Sequence, residues 1–95
     1  MTAYLVVELA ITDPVAFARY RELVHPTVAA YDGRYLVRGG AMVPLEGDWH
    51  PERVTIIAFP SVERARAWWD STEYADPKAI RQAATTTRMV IVEGV

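Results

Sequence analysis

The sequence predicts a single α+β domain, residues 1–95, in which a four-stranded antiparallel sheet carries two helical segments on one face. Three observations predict it. Four stretches rich in Val, Ile, Leu and Tyr alternate with two amphipathic stretches in the order strand, helix, strand, strand, helix, strand. The chain has 95 residues, 52% of them hydrophobic, which is enough for one core. It has no cysteine, so no disulfide staples the fold. No repeat, low-complexity run or linker divides it. This βαββαβ order is that of the ferredoxin-like fold.

Residues 3 to 11, AYLVVELAI, form the first strand and stop at Thr12-Asp13-Pro14. Thr12 or Asp13 can cap a helix there, and Pro14 suits its first turn. Phe17, Tyr20 and Val24 recur at helical spacing, with Arg19, Arg21 and Glu22 facing away. Pro26 lacks an amide hydrogen, so the helix is expected to stop after Val24 or His25, with a short piece from Thr27 to Tyr31 beyond it. Asp32-Gly33 is a turn. RYLVRGGAMVPLE, 34 to 46, reads as the second strand, bulged or bent at Gly39-Gly40. Gly47-Asp48 reads as a hairpin turn into the third strand, RVTIIAF, 53 to 59. Ser61 caps the second helix, with Glu63 in its first turn and Val62, Ala65 and Trp69 as its apolar stripe. Asp76-Pro77 is expected to break it, leaving a short helix from Lys78 to Ala84 before the last strand, RMVIVEGV, 88 to 95.

This order places both helical segments on one sheet face. Strand one alternates Tyr4, Val6 and Glu8 with Leu5, Val7 and Leu9, so neither face is polar enough for water. The uncovered face spans roughly 400 Å². Leaving it wet would forgo on the order of 10 kcal/mol per chain. A second copy is the simplest cover, and a homodimer is expected.

Composition narrows the partners. Ten basic residues are scattered among twelve acidic ones, for a formal charge of −2, and nucleic-acid binding normally needs a clustered positive field. No apolar run approaches the ~20 residues of a membrane helix. The opening residues read as a strand rather than a leader peptide. A cytoplasmic protein with no nucleic-acid or membrane partner is expected. The absence of cysteine removes thiol catalysis and cysteine-ligated metal. His25 and His50 fall in different elements without a carboxylate motif, so no metal site is expected. Gly39-Gly40 is not followed by Lys-Ser or Lys-Thr and is no phosphate loop. No nucleotide fingerprint or nucleophile elbow is present, and no cofactor is expected.

The chain resembles the domain-of-unknown-function family 1330 over essentially its whole length. The resemblance rests on Asp13-Pro14 with Tyr20, GRYLVRGG from Gly33 to Gly40, Leu45-Glu46-Gly47 and Pro51-Glu52-Arg53. It continues through FPSVERARAWW, then Ser71 with Tyr74, to Ile91-Val92-Glu93-Gly94. It implies the dimeric α/β-barrel superfamily, in which two ferredoxin-like subunits pack sheet to sheet. Distant relatives there include cofactor-free monooxygenases of antibiotic biosynthesis, muconolactone isomerases and EthD-like proteins. It implies no agreed catalytic motif.

Several side chains are candidates for chemistry, each with a plainer alternative. His25 can serve as a general base at a cleft mouth, or simply sit at a helix end favoured by the dipole. Glu8, mid-strand among apolar neighbours, can be a base with a raised pKa or half of a structural ion pair, with Arg38 as the expected partner. Arg38 can instead hold an anionic or enolic substrate through its planar fork, and Arg34 shares its strand face if no bulge intervenes. Tyr20 can point its hydroxyl into a pocket or be a core tyrosine. Trp68 and Trp69 diverge by about 100°, so one is core and the other can roof a pocket. His25 and Glu8 are thus the candidate catalytic residues, and Arg38, Tyr20 and Trp68 the candidate substrate contacts. They fit an enzyme of monooxygenase-like or isomerase-like proton-transfer chemistry, or a binding module for a small, largely apolar metabolite. A structural or regulatory dimer module is the alternative.

Overall fold

Asp13 does what its position before Pro14 suggests. In the computed structural model, which describes residues 1–95, its carboxylate accepts the Ala16 amide at 3.1 Å and caps the first helix. The elements are β1 (Ala3–Ile11), α1 (Pro14–Ala30), β2 (Arg34–Arg38), β3 (Arg53–Phe59), α2 (Val62–Trp69), α3 (Thr72–Ala84) and β4 (Thr85–Glu93). The sheet is antiparallel in the order β2-β3-β1-β4. This is the ferredoxin-like arrangement, with the second helical segment split into α2 and α3.

Cα extents of 36 × 35 × 16 Å describe a slab two layers thick. Between the layers, Leu5, Val7 and Leu9 of β1 and Ile57 and Phe59 of β3 meet α1, Trp68 of α2 and Tyr74 of α3. Burial along β1 alternates with period two, as the strand's pleat requires. The other face carries no helix. Its rows run Arg34–Ala58–Tyr4–Val92, then Val37–Ile56–Val6–Val90, then Val54–Glu8–Arg88.

Both expected proline breaks are corrected. α1 runs unbroken through Pro26. Pro26 and Glu22, whose carbonyl loses its helical partner, are both exposed, so solvent can satisfy that oxygen. The second break falls at Asp70-Ser71 rather than Asp76-Pro77. The Ser71 hydroxyl donates to the Trp68 carbonyl at 2.7 Å and accepts the Tyr74 amide at 3.1 Å, closing α2 and opening α3. Pro77 lies inside α3, with exposed Glu73 four residues before it. On α2 the inward tryptophan is Trp68, which is 1% exposed, while Trp69 is half-buried.

The second strand is five residues long, not thirteen. It ends where Gly39 takes a left-handed φ of 69°, its amide giving a last bond to the Val54 carbonyl at 2.9 Å. Residues 40–50 are exposed and form no hairpin, so Gly47 turns within a loop. β4 begins at Thr85, three residues earlier than expected, directly after α3. The bulge sits between Tyr35 and Val37, not at the glycine pair. It has a functional consequence: Arg34 stays on the open face while Tyr35 and Arg38 pair across Ile57 and Thr55, on the helix face.

Candidate functional site

A cavity of about 50 Å³ lies between the sheet and the helices. Helical spacing builds one wall, because Phe17, Tyr20, Arg21, Val24 and His25 recur at three and four residues along α1. His25 therefore reaches the cavity through this spacing, not through a helix break at Pro26. Leu5, Val7 and Ile57 form the sheet-side floor, and Trp68 and Tyr74 close the inner end. The Trp68 ring stacks on Tyr74 at 4.0 Å, and its indole N–H donates to Thr27 Oγ1 at 3.1 Å. Trp68 is thus a fixed wall.

Polar groups gather at two places. At the mouth, Arg38 Nη1 lies 2.9 Å from His25 Nε2 and 3.2 Å from Nδ1, and the His25 ring packs on Tyr35 with centroids 4.9 Å apart. Burial first, then the Arg38 and Arg21 charges, hold His25 below its usual pKa of 6.5. Near pH 7 it is a neutral imidazole, able to accept a proton. Burial pushes the Tyr35 hydroxyl up to about 12. Arg53 extends over Phe17, 5.8 Å from its ring centroid. A side chain at residue 39 would collide with the Arg53 guanidinium, so Gly39 leaves the room that Arg53 fills.

At the inner end, the Arg81 Nε–H donates to the Tyr74 hydroxyl at 3.1 Å, which lies 3.0 Å from the Tyr20 hydroxyl. With the Tyr74 oxygen accepting from Arg81, the cooperative arrangement has Tyr74 donate to Tyr20. Tyr20 then keeps its own hydrogen for the cavity. Burial, with Tyr74 beside it, raises the Tyr20 pKa, so its oxygen stays protonated.

The structure therefore brings Tyr20, His25, Arg38 and Trp68 together and leaves Glu8 apart. Glu8 lies on the open face, and its partner is Arg88, not Arg38. Arg88 Nε donates to Glu8 Oε1 at 3.0 Å and Arg88 Nη2 at 2.6 Å, and the Trp49 indole N–H donates to Oε2 at 2.9 Å. The Trp49 bond first, then Arg88, lower the Glu8 pKa rather than raise it. The expected Glu8–Arg38 pair is ruled out because the two side chains leave opposite faces of the sheet.

Sequence reasoning missed Arg21, Tyr35, Arg53 and Arg81 as cavity residues. Arg53 was within reach, since it shares the parity of Thr55 and Ile57 on β3. Arg21 stands one turn before His25 and was assigned outward. Arg81 had no signal, because the break expected at Pro77 hid the length of α3. The other histidine, His50, lies in the exposed loop beside Asp48, 3.6 Å away. No three His, Asp or Glu side chains gather as a metal-binding group. No helix is long and apolar enough to cross a membrane.

Among solved structures the chain is similar to a protein of unknown function from Rhodopseudomonas palustris, at 20% identity and a TM-score of 0.78, over 99% of this chain and 82% of that one. It is also similar to a dimeric ferredoxin-like protein of unknown function from Jannaschia sp. CCS1, at 13% identity and a TM-score of 0.67, over 99% and 100%. A third is SnoaB, a cofactor-independent oxygenase from Streptomyces nogalater, at 14% identity and a TM-score of 0.62, over 99% and 93%. At such identities the likeness is one of fold. No curated protein sequence matches the chain. The family pattern of the domain of unknown function DUF1330 matches residues 2–95, and the chain belongs to that family.

Proposed function

We propose that this chain is a cytoplasmic homodimer in which each protomer binds a small, largely apolar molecule in the cavity between sheet and helices. One observation carries the reading: an apolar cavity toward which the Tyr20 hydroxyl, His25 and Arg38 converge, the usual make-up of a small-molecule site. If the bound molecule reacts, His25 is the base and the chemistry is proton abstraction or cofactor-free oxygenation. The fold shared with SnoaB, a cofactor-independent oxygenase, supports that extension by analogy. Glu8 would act in it only through the dimer seam.

The cavity's size sets a condition. About 50 Å³ holds one or two waters, whereas a cavity of about 150 Å³ takes a benzene. A ligand must displace the mouth side chains His25, Arg38 and Arg53, none of which is buried. The same small volume favours the second reading, a non-catalytic structural or regulatory dimer. Support for the dimer is the row Val37–Ile56–Val6–Val90 on a face with no helix, and the dimeric state of the Jannaschia protein. Met42, Val43 and Leu45 of the loop add exposed apolar area toward the ~800 Å² per partner of a standard interface.

Sedimentation at micromolar concentration should give twice the 10.7 kDa chain mass. A screen of small aromatic compounds by NMR should move the Tyr20, Met89 and Trp68 signals. A dimer that binds none of them leaves the structural reading. A stable monomer removes the dimer.

A further inference from the structure

Of the nine arginines, two are paired with carboxylates, and Arg19, Arg34 and Arg66 are exposed without such a partner. Arg64 pairs with Asp32 at 3.1 Å and Arg88 with Glu8 at 2.6 Å. Four others line the cavity: Arg21, Arg38 and Arg53 at the mouth and Arg81 at the inner end. None of these four has a carboxylate within ion-pair distance, and none of the cavity's 17 lining residues is acidic. Acids are not scarce, since the chain has twelve against ten basic residues. The cations are kept apart from them.

The arrangement is costly by itself. Like charges around a low-dielectric space repel, and a buried cation without a counter-charge is destabilising. Arg81 is 4% exposed; it donates to a tyrosine hydroxyl and lies 5.9 Å from the Trp69 ring centroid, with no carboxylate at hand. Burial and the Arg21 and Arg38 charges depress the Arg53 pKa, as expected where guanidinium groups crowd without an anion. Arg38 meets neutral His25 and lies 5.1 Å from the Tyr35 ring centroid, again without a carboxylate. Each of the four lies over an aromatic ring, Arg21 and Arg53 over Phe17, Arg38 over Tyr35 and Arg81 over Trp69, and none has an anion.

We infer that the ligand of this cavity is a small organic acid, its carboxylate held at the mouth by Arg38 and Arg53 and its apolar body turned inward. This rests on the reading of the cavity as a small-molecule site and names the class of molecule. A guanidinium fork matches a carboxylate in two parallel bonds. Drawing Arg38 off His25 opens the mouth, which the present volume requires. Behind it, Leu5, Val7 and Ile57 offer only apolar surface, and the Tyr20 hydroxyl, bonded to Tyr74, is the polar group among them. That wall favours a carboxylate on an apolar body over inorganic phosphate, which has no apolar part to bury.

The test uses matched acid and amide pairs of rising size: acetate and acetamide, benzoate and benzamide, 1-naphthoate and 1-naphthamide, with inorganic phosphate as a further arm. Methyl-labelled full-length protein is titrated by NMR, following Leu5, Val7, Ile57 and Met89. The expected result is that the best-fitting acid moves these methyls and binds at least about tenfold tighter than its amide, the scale of one charge-assisted hydrogen bond. In the Arg38→Gln, Arg53→Gln double variant the acid should fall to the level of the amide. Unchanged Leu5, Val7 and Ile57 methyl signals in the ligand-free variant would show that the cavity is still folded. Equal binding of acid and amide in the natural chain would overturn the anion assignment while leaving the cavity reading intact. Phosphate binding as tightly as every acid, without methyl shifts, would reduce the arginines to a surface anion patch and overturn it too. No methyl shift with any compound would remove the cavity reading, and this inference with it.

Discussion

The two faces of the sheet are built from the same kind of strand and meet different fates. On the helix face, Leu5, Val7 and Leu9 are buried by three helices, and the polar groups that reach that side cluster at a cavity. On the open face, Val6 and Ile56 are only half-buried and Val37, Val90 and Val92 are exposed; of the charges present, Glu8 and Arg88 pair with each other and Arg34 stands exposed to solvent. A carboxylate and a guanidinium set directly opposite across β1 and β4 neutralise one another and ask for no ligand. On the helix face four guanidinium groups stand without any carboxylate. The difference teaches where to look for function. Apolar area points to the open face as a seam, whereas unbalanced charge points to the cavity as a site.

The largest expected effect tests the covered face. Trp68→Ala removes a ring stacked on Tyr74 and packed on Phe59, and should cost about 3–5 kcal/mol in urea denaturation. A loss under about 1 kcal/mol would mean that the inner end of the cavity is not a packed wall.

The open face is tested next with Val90→Lys. Val90 is 59% exposed in one protomer, so an isolated chain should tolerate the lysine. A sheet-to-sheet dimer would bury its charge at a cost of several kcal/mol. Sedimentation should therefore show halved mass with retained secondary structure. An unchanged dimer would place the seam elsewhere.

Gly39→Ala combines a left-handed φ of 69° with a collision against Arg53, and should destabilise by about 1–2 kcal/mol. Its sharper readout is the Arg53 side-chain signal, which should shift because the guanidinium has to leave its place over Phe17.

Glu8→Gln separates the faces by pH. The folded Glu8 pKa lies below 4.5, so its ionised form contributes stability above that value. This contribution is lost as pH falls through the lowered folded pKa. The natural chain should thus be the more stable of the two at neutral pH, and the gap should close in acid. A gap that persists in strong acid would show that the Arg88 and Trp49 contacts are not electrostatic.

The smallest effect is the His25 titration. Its NMR midpoint should lie below 6.5, and below 6.5 the folded chain should lose a little stability, because the unfolded imidazole takes the proton first. Arg38→Gln should raise the midpoint part of the way back, with burial holding the rest. A midpoint at or above 6.5 in the natural chain would show that neither burial nor the Arg38 charge acts on the ring as the structure implies.

Much of the fold was legible because it depends on short-range chemistry. β1 and β3 have their expected limits, since an aliphatic run bounded by Asp-Pro or Pro-Ser has few alternatives. Asp13 and Ser61 cap as their positions suggest, Ser61 accepting the Arg64 amide at 3.0 Å. The prolines misled because a missing amide breaks a helix only where its carbonyl is starved, and at Pro26 that carbonyl faces outward. Alternation along β2 left the faces of Arg34 and Arg38 open, because one extra residue at Leu36 reverses every side chain after it, which no local pattern announces.

The site followed the same division. The sequence by itself determined that His25, Arg38, Tyr20 and Trp68 were candidates, that the strands would leave an apolar face, and that no thiol chemistry was available. Only the tertiary structure decided that Arg38 joins His25 and Glu8 does not, because that depends on which face each strand turns toward the helices. Only it placed Arg81, 61 residues after Tyr20, at the other end of the same cavity through Tyr74. Periodicity fixes which residues of one element share a side. What stands opposite them depends on register and on the packing of distant segments, and charge balance within a cavity is a property of that assembly.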